Sequence, residues 1–319
     1  MYNAELKKNF IREQITSIST ALVCETIFNA IAPVEEEWGA DLCTKSKEEL
    51  QPVIDRIVGL RVRSKWMRLI ILKDYVRWCI GRNVPGACDG MLNITDVGLE
   101  KVREQTVSSP KHLQNYLDAI CEPEGKGGTD NIYRCFYWLA YAGVEEKDIL
   151  DIKCSDVDFR NMVVNYPQKN TVVQMYPESL QAFHNCVELE QFLFNHPNYT
   201  KTVWKDRVAG DTLVRGVRAL PTVSSIRTEL SRRSRGKSDK TPLKLSYFRV
   251  WMSGLFYRAY EEELCGRTPD FNPIVIQQME GKTYELGQGR RTLGAKQRQL
   301  VKDYEEDYQR WKLAWIYKG

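Results

Sequence analysis

The stretch that decides the fold is Ala142-Gly143-Val144-Glu145-Glu146-Lys147-Asp148-Ile149-Leu150-Asp151-Ile152-Lys153-Cys154-Ser155-Asp156-Val157-Asp158-Phe159. Its first two residues predict a turn, because glycine commonly follows the last residue of a helix. The apolar spacing over residues 148–152 predicts a short helix, and residues 157–159 begin a strand. Helix end, turn, short helix and strand therefore follow one another within eighteen residues.

The segments on either side predict a buried helix and a β-ribbon. Residues 132–141 are aromatic or apolar on nearly every face, which is typical of a helix inside a large core. Residues 162–166 and 171–176 predict antiparallel strands joined by a turn at 168–170. Further helices are predicted at residues 177–184, 223–233, 245–264 and 295–317.

The N-terminal residues predict a separate helical unit. Apolar residues over 5–38 recur at intervals of three and four, which predicts one amphipathic helix ended by Pro33. Ser46 and Glu49 have the spacing of a capping box before a second helix, and residues 65–80 predict a third. Ser109 precedes a proline in the pattern of a helix N-cap.

These elements predict a mainly α protein with a small β-ribbon, in two domains. The predicted limits are a helical domain over residues 1–92, a linker over 93–108 and a larger α+β domain over 109–319. The longest apolar run is shorter than a membrane span, so neither a signal peptide nor a membrane anchor is expected.

Charge and cysteine content restrict the function classes. The 319 residues include 46 Lys and Arg against 42 Asp and Glu, so the net charge is only +4. Residues 201–260, however, contain fourteen basic and four acidic side chains, a local charge of +10. The nine cysteines are odd in number and form no C-x-x-C, which favours reduced cysteines in a cytoplasmic protein. No metal site and no cofactor is predicted.

The order of these elements resembles the tyrosine recombinase (phage integrase) superfamily. Residues 142–159 are similar to its T-G-L-R-x-x-E-L-L-x-L-x-W-x-D-I-D segment, and Leu245-Ser246-Tyr247-Phe248-Arg249 falls where the family has H-x-L-R. Residues 44–82 are similar to the family's helical core-binding domain. The resemblance implies a two-domain clamp, with double-stranded DNA as its partner.

The resemblance also implies a catalytic site, but this chain lacks several of its groups. The family's first arginine corresponds to Glu145, with Glu146 beside it, and two histidine positions hold Ser246 and Ala295. A carboxylate cannot donate the bidentate fork of an arginine, and it repels a phosphate. We therefore expect no catalytic residue and no strand cleavage.

Other positions of the catalytic pattern are retained. Lys169 matches the lysine of the β-ribbon, and Arg249 matches the second arginine. Tyr304 stands at the family's tyrosine spacing, and Tyr308 is an equal candidate. Arg249 is expected on a helix whose core side includes Phe248, Trp251 and Phe256, where it holds a DNA phosphate or forms an ion pair with Glu145.

Two basic clusters are predicted to contact DNA phosphates, one on each domain. The predicted DNA-binding residues are Arg61, Arg63, Lys65, Arg68, Lys169, Arg232, Arg233, Arg235, Lys237, Lys240, Lys244 and Arg249.

The favoured hypothesis is a sequence-specific DNA-binding regulator of a phage or mobile element, similar to recombinase-like phage repressors of the SPβ type. It would act in the cytoplasm of a bacterial host, with a second copy or a small regulatory protein or peptide as a further possible partner. One alternative is an active recombinase that recruits Arg134 or Arg290. Another is a protein-interaction scaffold, which internal pairing of the charges in residues 201–260 would favour.

Overall fold

The computed structural model describes residues 1–57, 62–94, 99–121, 128, 130–195, 202–217, 219–235, 243, 245–280 and 293–316. The chain divides into two compact units, each with its own internal packing. Unit 1 comprises Met1–Val102 with Phe271–Gly319, and unit 2 comprises Arg103–Asp270. The predicted mainly α fold is confirmed. The sequence prediction places residues 271–319 in the second domain, whereas their contacts group them with the first 102 residues.

The described helices, in chain order, are α1 (Ala4–Gln14), α2 (Ile18–Trp38), α3 (Lys47–Ile57), α4 (Val62–Gly81), α5 (Glu100–Gln105), α6 (Pro110–Ile120), α7 (Asp130–Ala142), α8 (Leu180–Glu188), α9 (Val223–Arg235), α10 (Tyr247–Leu264), α11 (Asn272–Met279) and α12 (Leu293–Trp315). The described strands are β1 (Val157–Asp158), β2 (Val163–Tyr166), β3 (Thr171–Gln174), β4 (Gln191–Asn195) and β5 (Thr202–Asp206).

The single helix predicted over residues 5–38 is wrong, because the chain breaks at Ile15, which is extended, to form α1 and α2. The break brings Phe10 and Phe28 together with ring centroids 6.2 Å apart in the core of unit 1. In one straight helix these residues would be about 27 Å apart. Burial of the aromatic cluster thus requires the chain to reverse.

Pro33 lies inside α2 and does not end it as predicted. Proline has no backbone N–H, so the Asn29 carbonyl lacks its usual hydrogen-bond donor in the helix. Asn29 is exposed, so water can donate to this carbonyl instead. The helix ends instead at Gly39, whose φ of 61° closes the last turn. Among the described helices, α2 alone has the length and apolar composition of a membrane span. Its buried side belongs to the core of unit 1.

The predicted helix caps are confirmed. The backbone N–H of Ser46 donates to Glu49 at 3.0 Å, and the N–H of Glu49 donates back to the Ser46 hydroxyl at 3.3 Å. Ser109 accepts from the N–H of His112 at the start of α6, with Pro110 at the first helical position. The predicted linker 93–108 contains α5, a helix that was not predicted.

The core of unit 2 is built around α7, which packs on α8 and α10. All residues of α7 except Tyr133 are buried, as its all-round apolar pattern predicts. At Gly254 of α10 the backbones approach so closely that an added Cβ would stand 1.9 Å from the Tyr141 carbonyl oxygen. Glycine is therefore required where these two helices cross.

The β-ribbon forms as predicted, with β2 and β3 antiparallel and Val164 opposite Val173. The short strand β1 joins it as a third strand. The helix predicted over 148–152 is wrong: residues 146–150 form turns with i to i+3 backbone bonds, such as Asp148 to Glu145 at 3.0 Å. The antiparallel pair β4 and β5 was not predicted.

Candidate functional site

The turn after α7, residues 143–148, is held by side chains from two elements, α10 and β2. Trp251 Nε1 donates to the Gly143 carbonyl at 3.1 Å, and Tyr247 Oη donates to the Val144 carbonyl at 2.5 Å. Tyr166 Oη accepts from the Glu145 N–H at 3.1 Å and donates to Asp148. The pKa of Tyr166 is raised mainly by burial and, to a smaller extent, by the hydrogen bond to Asp148. The backbone around Glu145 is therefore fixed.

The Glu145 side chain forms ion pairs with two lysines. Its carboxylate lies 3.2 Å from the Lys169 Nζ on the β-ribbon and 3.2 Å from the Lys147 Nζ. Lys169 is only 15% exposed. The structure thus brings the retained position Lys169 together with the replaced position Glu145, and the two charges neutralise each other. The alternative of an ion pair between Glu145 and Arg249 is replaced by these lysine contacts.

A cleft of about 900 Å³ lies beside this turn, between α9 and the start of α10. Its described lining residues include three arginines, two glutamates, three serines and several apolar side chains. The polar groups among them are Glu104, Glu146, Arg227, Ser231, Ser234, Arg235, Ser246 and Arg249. Arginines and hydroxyl groups together form a surface suited to an anionic ligand.

Glu146 and Arg227 face each other in this cleft. The Arg227 Nε and Nη2 donate to the two carboxylate oxygens of Glu146, which is a bidentate arrangement. This hydrogen bonding raises the pKa of Arg227. Arg227 was not among the predicted site residues. Arg227 and Ser231 are four residues apart within the predicted helix 223–233, and Arg235 continues the same spacing just beyond it, which was a signal that could have found Arg227.

Arg249 and Ser246 both line the cleft. Ser246 is the N-cap residue of α10, and Arg249 is in its first turn. Burial lowers the pKa of the Arg249 guanidinium, and the Glu104 carboxylate opposes that shift. The expectation that Phe248 belongs to the core side is wrong, since it is 44% exposed whereas Trp251 and Phe256 are buried. Helical periodicity puts Tyr247, Val250 and Trp251 on the core face and turns Phe248 away from it.

The predicted DNA-contacting arginines of α9 differ in their surroundings. Arg232 is 68% exposed and pairs with Glu229, and Arg235 is exposed at the edge of the cleft. Arg233 is only 20% exposed, pairs with Asp130 and Glu229, and lies over the ring of Tyr133. Arg233 thus stabilises the packing of α9 on α7.

Arg68 on α4 is half-buried. Four other predicted DNA-contacting residues lie outside the described residues: Arg61, Lys237, Lys240 and Lys244. Arg63 and Lys65 lie on α4, but their side chains are also outside the described part of the structure.

Several arginines of residues 201–260 serve the fold. Arg207 is buried and donates to the carbonyls of Cys186 at 2.5 Å and Leu213 at 3.0 Å. Arg215 is buried and donates to the Gly210 carbonyl, while Arg258 donates to the Tyr141 carbonyl at 2.5 Å. The local charge of +10 therefore overstates the charge available to a partner.

Tyr304 and Tyr308 are buried in unit 1. Tyr304 is 1% exposed, exchanges hydrogen bonds with the Gln278 amide and stacks on Phe271. Tyr308 is 2% exposed and stacks on Trp311. Each ring has the surroundings of a packing residue. Ala295 is in the first turn of α12.

Of the two arginines suggested as catalytic replacements, Arg134 is not among the described residues that line the cleft. Arg134 is completely buried in α7 and donates to Asp118 at 2.8 Å. Arg290 lies outside the described residues. Over the described ranges, no group of three or more His, Cys, Asp or Glu side chains is arranged to hold a metal ion.

The N-terminal part of unit 1 is similar to a known family of core-binding domains. Residues 1–81 match the family described as MrpR, N-terminal core-binding domain. The resemblance to the tyrosine recombinase superfamily is confirmed by this match. No curated protein matches the chain significantly.

Solved structures similar to this chain include three recombinases. XerA recombinase has 12% identity and a TM-score of 0.36, covering 88% of this chain and 94% of its own. The Tn1549 transposon integrase, in complex with circular intermediate DNA, has 12% identity and a TM-score of 0.33, covering 93% and 98%. A lambda integrase dimer bound to a COC′ core site has 10% identity and a TM-score of 0.34, covering 90% and 98%.

Proposed function

We propose that this protein binds double-stranded DNA through phosphate contacts and does not cut it. It would act as a sequence-specific transcriptional regulator of a phage or mobile element, in the cytoplasm of a bacterial host. The match of residues 1–81 to a core-binding domain supports the DNA partner. The cleft of unit 2, with Arg227, Arg235 and Arg249 in its wall, supports contact with an anion.

The main observation in support of a protein that does not cleave DNA is the ion pair between Glu145 and Lys169. Stabilising a transferring phosphoryl group requires preorganised positive donors aimed at its oxygens. Here a carboxylate occupies the first arginine position, and it neutralises the lysine that the resemblance would make the general acid. The same fixed turn that would hold an arginine holds an acceptor instead.

A second candidate function is a protein-interaction scaffold that does not bind DNA. The observation that favours it is the internal engagement of Arg207, Arg215, Arg233 and Arg258. Arg232 and Arg235 remain exposed on α9, however, and the pairing of Arg232 with Glu229 is at the surface, where ion pairs are weak and easily exchanged. DNA binding is therefore preferred.

We predict that DNA affinity falls steeply as salt rises, because phosphate contacts release counterions. Arg232→Gln combined with Arg235→Gln should weaken binding to all duplexes alike and should reduce the slope of log K against log salt by about 0.9 for each phosphate that the variant no longer neutralises. Fluorescence anisotropy at several salt concentrations measures both effects. Arg160→Gln, at an exposed turn between β1 and β2, is the matched control. An affinity independent of salt would favour the scaffold.

We predict no covalent protein–DNA adduct on nicked suicide substrates. Tyr304→Phe and Tyr308→Phe should leave DNA binding intact, because both rings pack inside unit 1. Denaturing gels of the cross-linked fraction measure the adduct. An adduct that disappears in either tyrosine variant would establish an active recombinase and would contradict the proposal.

A further inference from the structure

The Glu146–Arg227 pair has the geometry of an arginine bound to a phosphate. Two guanidinium nitrogens donate to two oxygens of one anionic group, which is the fork arrangement that arginine forms with carboxylates and phosphates alike. The Arg227 side chain is 58% exposed, so its guanidinium is open to solvent. The Glu146 side chain is 22% exposed and is attached to the fixed turn after α7.

The pair lies in the cleft that also contains Ser246 and Arg249. Arg227, Ser231 and Arg235 are spaced four residues apart on α9, so they form one polar row along the cleft wall. Arg249 lies at the first turn of α10. A backbone segment of DNA seated in the cleft would therefore meet arginines from both helices, and Arg227 is already occupied by a carboxylate of the same chain.

We propose that Glu146 holds the place of a DNA phosphate on Arg227, and that DNA binding exchanges this carboxylate for a backbone phosphate. The inference rests on the proposed DNA-binding function. It assigns Arg227 as a phosphate contact and Glu146 as an internal competitor that weakens binding to all duplexes. Only a ligand that also engages the neighbouring arginines displaces it.

The exchange is energetically accessible because the pair is at the surface. Exposed ion pairs contribute little to stability, since both charges are well solvated when separated. The displaced carboxylate stays near the cleft and repels the incoming phosphate, so its effect on DNA affinity is unfavourable. Removing the carboxylate should thus strengthen DNA binding while folding is little changed.

The test is Glu146→Gln, measured by anisotropy titration with a 30-bp duplex of random sequence at several salt concentrations. We expect affinity at low salt to rise about two- to fivefold. The slope of log K against log salt should change by less than 0.9, because Arg227 contacts a phosphate in both complexes. Asp211→Asn removes the same charge from an exposed pair with Lys153 outside the cleft and is the matched control.

The double variant Glu146→Gln/Arg227→Gln distinguishes the role of Arg227 as a phosphate contact from the role of Glu146 as a competitor. Its slope of log K against log salt should be smaller than that of Glu146→Gln by about 0.9, because the Arg227 phosphate contact is lost, and it should bind about as weakly as the wild type or more weakly. Equal affinity of Glu146→Gln and wild-type protein, with DNA bound by both, would overturn the exchange alone. A wild-type protein that binds no duplex at any salt would overturn the proposed function itself. If Asp211→Asn raised the affinity by the same factor, the change in net charge alone would explain the effect of Glu146→Gln. That result would also overturn the exchange.

Discussion

Lys7→Met is expected to lower the free energy of unfolding of unit 1 by about 3–5 kcal/mol, because it leaves buried carboxylates without their cation. Lys7 and Glu35 are both completely buried and form an ion pair, and Asp41 lies 3.7 Å from the Lys7 Nζ. The Lys7 Nζ also lies 5.4 Å from the ring centroid of Phe28. Burial raises the pKa of Glu35, and the charge and hydrogen bond of Lys7 oppose that shift.

Urea unfolding of the full chain, with hydrogen exchange of peptides from α1 and α4, measures this effect and assigns it to unit 1. Arg77→Met breaks an exposed pair with Asp74 on α4 and should change stability little. The double variant Lys7→Met/Glu35→Gln should recover part of the loss, because it buries fewer uncompensated charges. Equal stability of Lys7→Met and wild-type protein would contradict the buried network.

Gly254→Ala is expected to destabilise unit 2 by about 3 kcal/mol through overpacking. The added Cβ would stand 1.9 Å from the oxygen and 2.7 Å from the carbon of the Tyr141 carbonyl, and both are backbone atoms of α7. Relief of this clash requires α7 and α10 to separate, which disturbs the Tyr247 and Trp251 contacts to the turn after α7. DNA binding should weaken together with stability.

The sign of this result is informative because alanine favours a helix over glycine by about 1 kcal/mol when no clash occurs. Gly81→Ala is the matched control, since nothing lies within 4 Å of its added Cβ in α4. We expect the melting temperature to be unchanged or slightly raised for Gly81→Ala and clearly lowered for Gly254→Ala. A raised melting temperature for Gly254→Ala would show that the helices do not meet at this residue.

Local sequence pattern was sufficient to predict those elements whose hydrogen bonds or periodicity involve residues close together in the sequence. The caps at Ser46 and Ser109, the buried helix α7 and the pairing of β2 with β3 follow from residues within a few positions of one another. Local pattern failed at Ile15 and over residues 148–152. In both places distant partners, the Phe10–Phe28 cluster and the Tyr166 hydroxyl, decide the backbone conformation.

The candidate site shows the same division. From the sequence alone, the resemblance placed Glu145 at the family's first arginine position, and register placed Arg249 at the start of a helix, because these are matters of residue identity and spacing. Only the tertiary structure decided which charges are available: Arg233 and Arg207 are used by the fold, Glu145 is paired with Lys169, and Glu146 occupies Arg227. Ion pairs join residues up to 103 positions apart, and their partners depend on packing that no local pattern encodes.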